Sequence, residues 1–264
     1  MADNGATLSE EISIPILPPA LPPVSLSEWE GVRYLHLGSE WVQGAMRINA
    51  PFVIELEYVR RMMAWLLLSP WDVPQGRHAM QLGLGAGAIT KFCWKHLAMR
   101  CTAIEVNSEV LAACRAWMRL PPDDDRLRVV LADAGSEIRR DCWRGTVDAL
   151  SVDLYDEEAA APVLDGAEFY EDCRRLLAPG GCMAVNLFGR SSSYERSLEA
   201  MKQAFGARAL WAFRATREGN TVVLAQREVT RASRTAQAAR AAQIEARWGL
   251  PARQWLKVLK PVER

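Results

Sequence analysis

The sequence is short of the residues that would mark a metal or disulfide protein. Its three histidines lie far apart, which leaves no metal-ligating set. The six cysteines (Cys93, Cys101, Cys114, Cys142, Cys173 and Cys182) contain no C-x-x-C pair, a pattern of free thiols in a reducing compartment. No apolar run nears the ~20 residues of a membrane span; the longest relevant one is "MMAWLLL" at 62–68. A secretory leader is not expected either. The apolar start "ISIPILPPALPPV" carries five prolines and follows only acidic charges. A cytoplasmic protein is the reading. Net charge is zero, so no overall attraction to nucleic acid or a membrane is expected.

What charge there is lies unevenly. Residues 1–32 hold five acids and no Lys or Arg, and 151–173 hold eight acids and no base. The stretch 227–264 carries nine bases against three acids, read as a solvated helix face. Half the residues are hydrophobic and ten are Trp, enough for a sizeable core.

Residues 1–25 read as a flexible proline-rich arm. "VRYLHLGSEWVQGAMRI" reads as two strands about the turn "GSE", a small β-hairpin domain over 26–50. Leu56, Val59, Met63 and Leu66 form a helical stripe, with Pro51 suited to a first helical turn. From 78 onward strands and helices alternate, the mark of a mostly parallel sheet. Strands are predicted near 79–83, 101–106, 127–132, 147–153 and 182–188. Helices are predicted near 88–97, 108–119, 163–177 and 193–205, with "LAPGG" as a turn. "RALWAFRA" and "NTVVLAQR" are joined only by "TREG", so they must pair antiparallel. A helical tail over 229–264 pauses at Gly249 and resumes at Pro251. The expectation is an α/β fold with a Rossmann-like core over 51–228.

The site signal is "MQLGLGAGAIT" at 80–90. Gly83, Gly85 and Gly87 follow a strand and open a helix, where free N–H groups favour an anionic or nucleotide-like ligand. Glu105 ends the next strand, 22 residues on, where an acid typically accepts ribose hydroxyls. Asp133 ends the third strand, within reach of an adenine amino group, and Asp153 ends the fourth. Successive strand tips ending in a Gly loop, Glu, Asp and Asp point to a nucleoside at the carboxyl edge of the sheet. A tight turn for helix–strand packing is the plain alternative for the glycines, and a dinucleotide fits "GLGAGA" formally.

With these motifs, the hairpin and "EFYEDCRRLLAPGG", the chain resembles the spermidine synthase (polyamine aminopropyltransferase) family from about Val32 to Arg227. The resemblance implies a seven-stranded, class I methyltransferase-like sheet behind a small β domain. It implies that the glycine loop and Glu105 hold decarboxylated S-adenosylmethionine, with Asp133 and Ala134 at its adenine. It implies that Asp153 and Asp156 orient and deprotonate the incoming amine, that Tyr58 and Tyr155 line its site, and that the protein is a dimer. No metal enters. The chain departs from the family at the loop acid, replaced by Ala86, at the two positions after Tyr58, Val59 and Arg60, and at Asn107. An S-adenosylmethionine-dependent methyltransferase and a non-catalytic nucleoside binder on the same frame stay open.

Overall fold

The computed structural model describes residues 21–155, 164–188 and 191–263. Its first layer is a three-stranded antiparallel sheet of β1 (Val24–Trp29), β2 (Val32–Leu37) and β3 (Val42–Arg47). The hairpin about "GSE" is β2–β3; the unforeseen strand is β1, within what reads as arm and domain edge. It pairs along its whole length with β2, Val24 opposite Leu37 and Trp29 opposite Val32. The alternation of Val24 and Leu26 with Ser25 and Ser27 is a strand period that the neighbouring prolines mask.

Next come α1 (Glu57–Met62) and α2 (Trp65–Leu68). Helix thus begins at Glu57, and Pro51 lies in a turn instead, with Val53 N–H bonding the Ala50 carbonyl. The main layer follows: β4 (His78–Leu82), α3 (Ala88–Lys95), β5 (Arg100–Glu105), α4 (Ser108–Ala116), β6 (Leu127–Leu131), α5 (Ala134–Glu137) and β7 (Val147–Val152). Beyond it lie α6 (Ala167–Leu176), β8 (Leu177–Leu187), α7 (Ser191–Phe205), β9 (Leu210–Ala212), β10 (Thr221–Gln226), α8 (Arg234–Trp248), α9 (Ala252–Val258) and β11 (Lys260–Pro261).

These strands make one sheet of order β11-β9-β10-β8-β7-β4-β5-β6. The five central strands from β6 to β8 run parallel, while β10 returns antiparallel to β8 and pairs antiparallel with β9, as "TREG" requires. The sheet has eight strands where seven were expected. Lys260 and Pro261 in the tail pair with Ala212 and Trp211, so the tail ends in the sheet and is not helical throughout. "LAPGG" is absorbed into β8, and a register shift between Val147 and Ala149 accommodates it. Gly249 closes α8 in the left-handed conformation that glycine permits (φ 67°).

Alternation along the strands loads both faces. Val222 and Leu224 join one buried cluster with Trp65, Phe92 and Trp255, while Val223 and Ala225 join another with Tyr170 and Met201. A third cluster sets Leu35 and Met46 of the small sheet against Leu84, Ala86, Val110 and Cys114. That contact seats the small domain directly on the glycine loop.

Candidate active site

The loop after β4 turns with three left-handed glycines, at φ 82° for Gly83, 51° for Gly85 and 64° for Gly87. Protein neighbours demand them. A Cβ on Gly83 would lie 2.2 Å from the Asp153 carbonyl oxygen, and one on Gly85 would lie 2.9 Å from that of Gln43. Gly87 caps α3 and faces Leu120, off the cavity wall, so its role is the turn. Packing supplies one reason for the motif, and Gly83 and Gly85 also line a cavity.

A buried glutamine clamps this loop. Gln81 donates from Nε2 to the carbonyls of Gly83 (2.7 Å) and Leu84 (3.1 Å), while its Oε1 accepts from the Thr90 amide and hydroxyl. With the carbonyls held inward, the loop keeps one backbone arrangement. Sequence reading passed over Gln81, though a polar residue in an otherwise apolar strand was the available signal.

A cavity of about 140 Å³ lies at the carboxyl edge of β4–β7 and is lined by Gly83, Gly85, Glu105, Asp133, Ala134 and Asp153, among others. Leu37 and Gln43 close it from the small sheet, and Tyr155 from the far side. Glu105 is buried, its Oε2 accepting from the Leu84 amide (2.8 Å) and Oε1 from Asn107 (2.9 Å). Burial raises its pKa, against the pull of those amides. Asp133 is exposed, and its Oδ1 caps α5 through the Ser136 amide at 2.8 Å. The sequence expectation had not included this helix. Ala134 is its first residue, placed on the wall by that cap.

Asp153 follows β7 and faces two cavities at once. The second is a small space of about 20 Å³ lined by Tyr58, Leu56, Val59, Gln81, Ala86 and Ile89, among others. Tyr58 in α1 donates its hydroxyl to Asp153 Oδ2 at 3.2 Å, and Asn186 at the end of β8 donates from Nδ2 to Oδ1 at 2.9 Å. Burial pushes the Asp153 carboxyl up to about 6, against the hydrogen bonds from Asn186 and Tyr58. The same desolvation, with the Asp153 charge beside it, lifts Tyr58 well above its usual range. Tyr155 donates to the Asn186 carbonyl at 2.9 Å and accepts from the Phe188 amide, so its ring is fixed at the mouth. Asp156 lies outside the described residues.

Ala86 answers why the loop has no acid. It is 3% exposed, and a Cβ on Gly44 of β3 would sit 2.6 Å from its own Cβ. An aspartate there would be buried under the small sheet with no basic partner on the cavity wall. Among the described residues, no Lys, Arg or His lines either cavity, and no group of three His, Cys, Asp or Glu is placed to hold a metal.

One cavity thus carries Glu105 and Asp133 at the tips of β5 and β6 and Asp153 at the tip of β7. No family model matches the chain. A curated relative, the polyamine aminopropyltransferase of Chromobacterium violaceum, is 33% identical over 243 residues, spanning 91% of this chain and 90% of the relative. The chain belongs to the polyamine aminopropyltransferase family. Members of that family are transferases, and the nearby solved structures agree in fold. A probable spermidine synthase from Corynebacterium glutamicum superposes with a TM-score of 0.70 at 19% identity, covering 86% of this chain and 85% of its own. Human methyltransferase-like protein 13, solved with SAH, superposes at 0.66 with 20% identity, covering 74% and 93%. A spermidine synthase in complex with the transition-state analogue AdoDATO superposes at 0.55 with 16% identity, covering 86% and 89%. No helix among the described residues is long and apolar enough to cross a membrane.

Proposed function

We propose that the protein transfers an aminopropyl group from an adenosyl sulfonium, decarboxylated S-adenosylmethionine, to a small amine. The observation that carries this is Asp153, a carboxylate half-buried where two cavities meet and held by Tyr58 and Asn186. Gly83, Gly85, Glu105, Asp133 and Ala134 bind the nucleoside: Glu105 takes the ribose hydroxyls on the lone pairs its backbone amides leave, and Asp133 the adenine amino group through the oxygen that does not cap α5. Tyr58 and Tyr155 line the acceptor side. The acceptor nitrogen attacks the carbon bonded to sulfur, the C–S bond breaks with its electron pair moving to sulfur, and Asp153 takes the nitrogen's proton. The products are methylthioadenosine and the extended amine. A carboxyl near 6 suits the task, because it is mostly ionised at neutral pH yet basic enough to accept the proton. The family resemblance implies that Asp156 also helps to orient the amine.

Ala86 favours a second reading. An uncharged loop does not repel the carboxylate of intact S-adenosylmethionine, as a methyltransferase on this frame requires. Mass spectrometry decides between them. Incubation with each donor and an amine panel should yield methylthioadenosine, whereas S-adenosylhomocysteine would establish methyl transfer. Six unpaired cysteines suit a cytoplasmic enzyme, and a homodimer is what the family resemblance implies.

A further inference from the structure

Asn186 presents two different ends to its surroundings. Its Nδ2 donates to Asp153, and its Oδ1 accepts from Asn220 Nδ2 at 3.1 Å. Asn220 lies in the turn between β9 and β10, where its own amide bonds the Thr216 hydroxyl (3.2 Å) and its carbonyl accepts from the Thr216 amide (2.7 Å). The Asn186 backbone is held separately, through its carbonyl to Tyr155. An amide side chain is nearly symmetric in shape but not in polarity. Rotated by half a turn, Asn186 would set an acceptor oxygen against Asp153, an arrangement that only a protonated carboxyl satisfies.

We propose that Asn220 is a positioning residue: by donating to Asn186 it fixes the sense of that amide and so holds Asp153 as a proton-accepting carboxylate. A base oriented by a second group, itself oriented by a third, is the logic of catalytic triads; here the chain is Asp153, Asn186, Asn220. The inference rests on Asp153 being the base of the proposed reaction. Among the described residues, the titratable groups around Asp153 are few. Tyr58 faces it from α1 and Tyr155 from its own segment, with Glu105 and Asp133 across the cavity from the tips of β5 and β6. Of these, Tyr58 is the hydrogen-bond donor, and it contacts the other oxygen, so among the described residues the Asn186 end is set by Asn220.

The test is the ionisation of Asp153, followed by carbon NMR of the labelled carboxyl with Asp153→Asn to assign it, alongside the pH profile of kcat/KM. Asn220→Asp offers an acceptor where a donor stood, so Asn186 should turn over. The Asp153 titration and the acid limb of the profile should both move up by about one pH unit, the size expected of one hydrogen bond to a charged group. Asn220→Ala should move them by less, and Asn220→Gln, which keeps the donor, should stay nearer the parent. A merely structural role would lower the melting temperature without moving either. An unshifted carboxyl in folded Asn220→Asp and Asn220→Ala overturns the inference. A shifted carboxyl with an unshifted activity profile leaves the Asn220 role standing and removes Asp153 as the base.

Discussion

At the Glu105 end of the cavity, each polar group belongs to a strand tip or to the turn beside it, and Gly83, Glu105 and Asp133 follow β4, β5 and β6 in order. At the Asp153 end the groups come from positions 58, 153, 186 and 220, carried by α1, β7, β8 and the β9–β10 turn. The end proposed for the nucleoside is thus a property of successive βα units, each placing its C-terminal residue at the same edge. The end proposed for the transfer depends on an antiparallel return and on a helix preceding the sheet.

The sharpest break between the two ends is Asp153→Asn. Turnover should fall by roughly 10²–10⁴-fold, the span of a general base, with nucleoside affinity unchanged; steady-state kinetics and calorimetry check both. The same change should raise stability near pH 7. A carboxyl lifted in the folded state to about 6 binds its proton more readily folded than unfolded. Its contribution is therefore favourable at low pH and lost as pH rises through about 6, a penalty on the order of 2–3 kcal/mol at neutrality. Activity of the parent should correspondingly decline below pH ~6, as the base protonates.

Beneath the nucleoside end lies a comparable burden in Lys91. It is 1% exposed, and its Nζ donates to the Met118 carbonyl at 2.6 Å. Burial lowers its pKa to about 8. The folded state thus holds this proton less tightly than the unfolded one, so the penalty is full below pH 8 and relaxes as pH rises above it. Lys91→Met should stabilise by up to about 3 kcal/mol at pH 7, read from denaturant unfolding. The difference from the parent should shrink between pH 8 and 9, before the buried thiols ionise.

Glu105→Ala should erase ligand-induced stabilisation. With methylthioadenosine at ~100 times its dissociation constant, the parent should gain about 2.7 kcal/mol, and the variant none. If Asp153→Asn loses this gain as well, the two ends are one site and the division fails. The smallest effect is expected from Gln81→Leu, which frees the Gly83 and Leu84 carbonyls. Loss of about 1–3 kcal/mol of stability with a weakened nucleoside affinity would place the clamp at the nucleoside end; an acceptor KM that moved instead would place it at the other.

Much of the fold is legible in sequence because the strands and helices of the core carry their period and their punctuation locally. The antiparallel pairing of β9 with β10 follows from the brevity of "TREG", and Glu105 and Asp133 follow from where apolar runs stop. β1 was hidden by the prolines before it, and β11 by its two-residue length. α5 is four residues with no apolar stripe, legible only through the Asp133 cap. Asp156 remains a sequence expectation.

The amino-acid sequence by itself determined the alternating α/β core, the glycine turn and the acids at successive strand ends, since each depends on spacing along one segment. Only the tertiary structure decided that Gly44 packs against Ala86, that Gln81 holds the loop, and that Tyr58, Asn186 and Asn220 converge on Asp153. The Gln81 clamp spans only two to nine positions, but the other relations join residues 33 to 95 positions apart, and their geometry exists only once the sheet, the small domain and the returning strands have packed together.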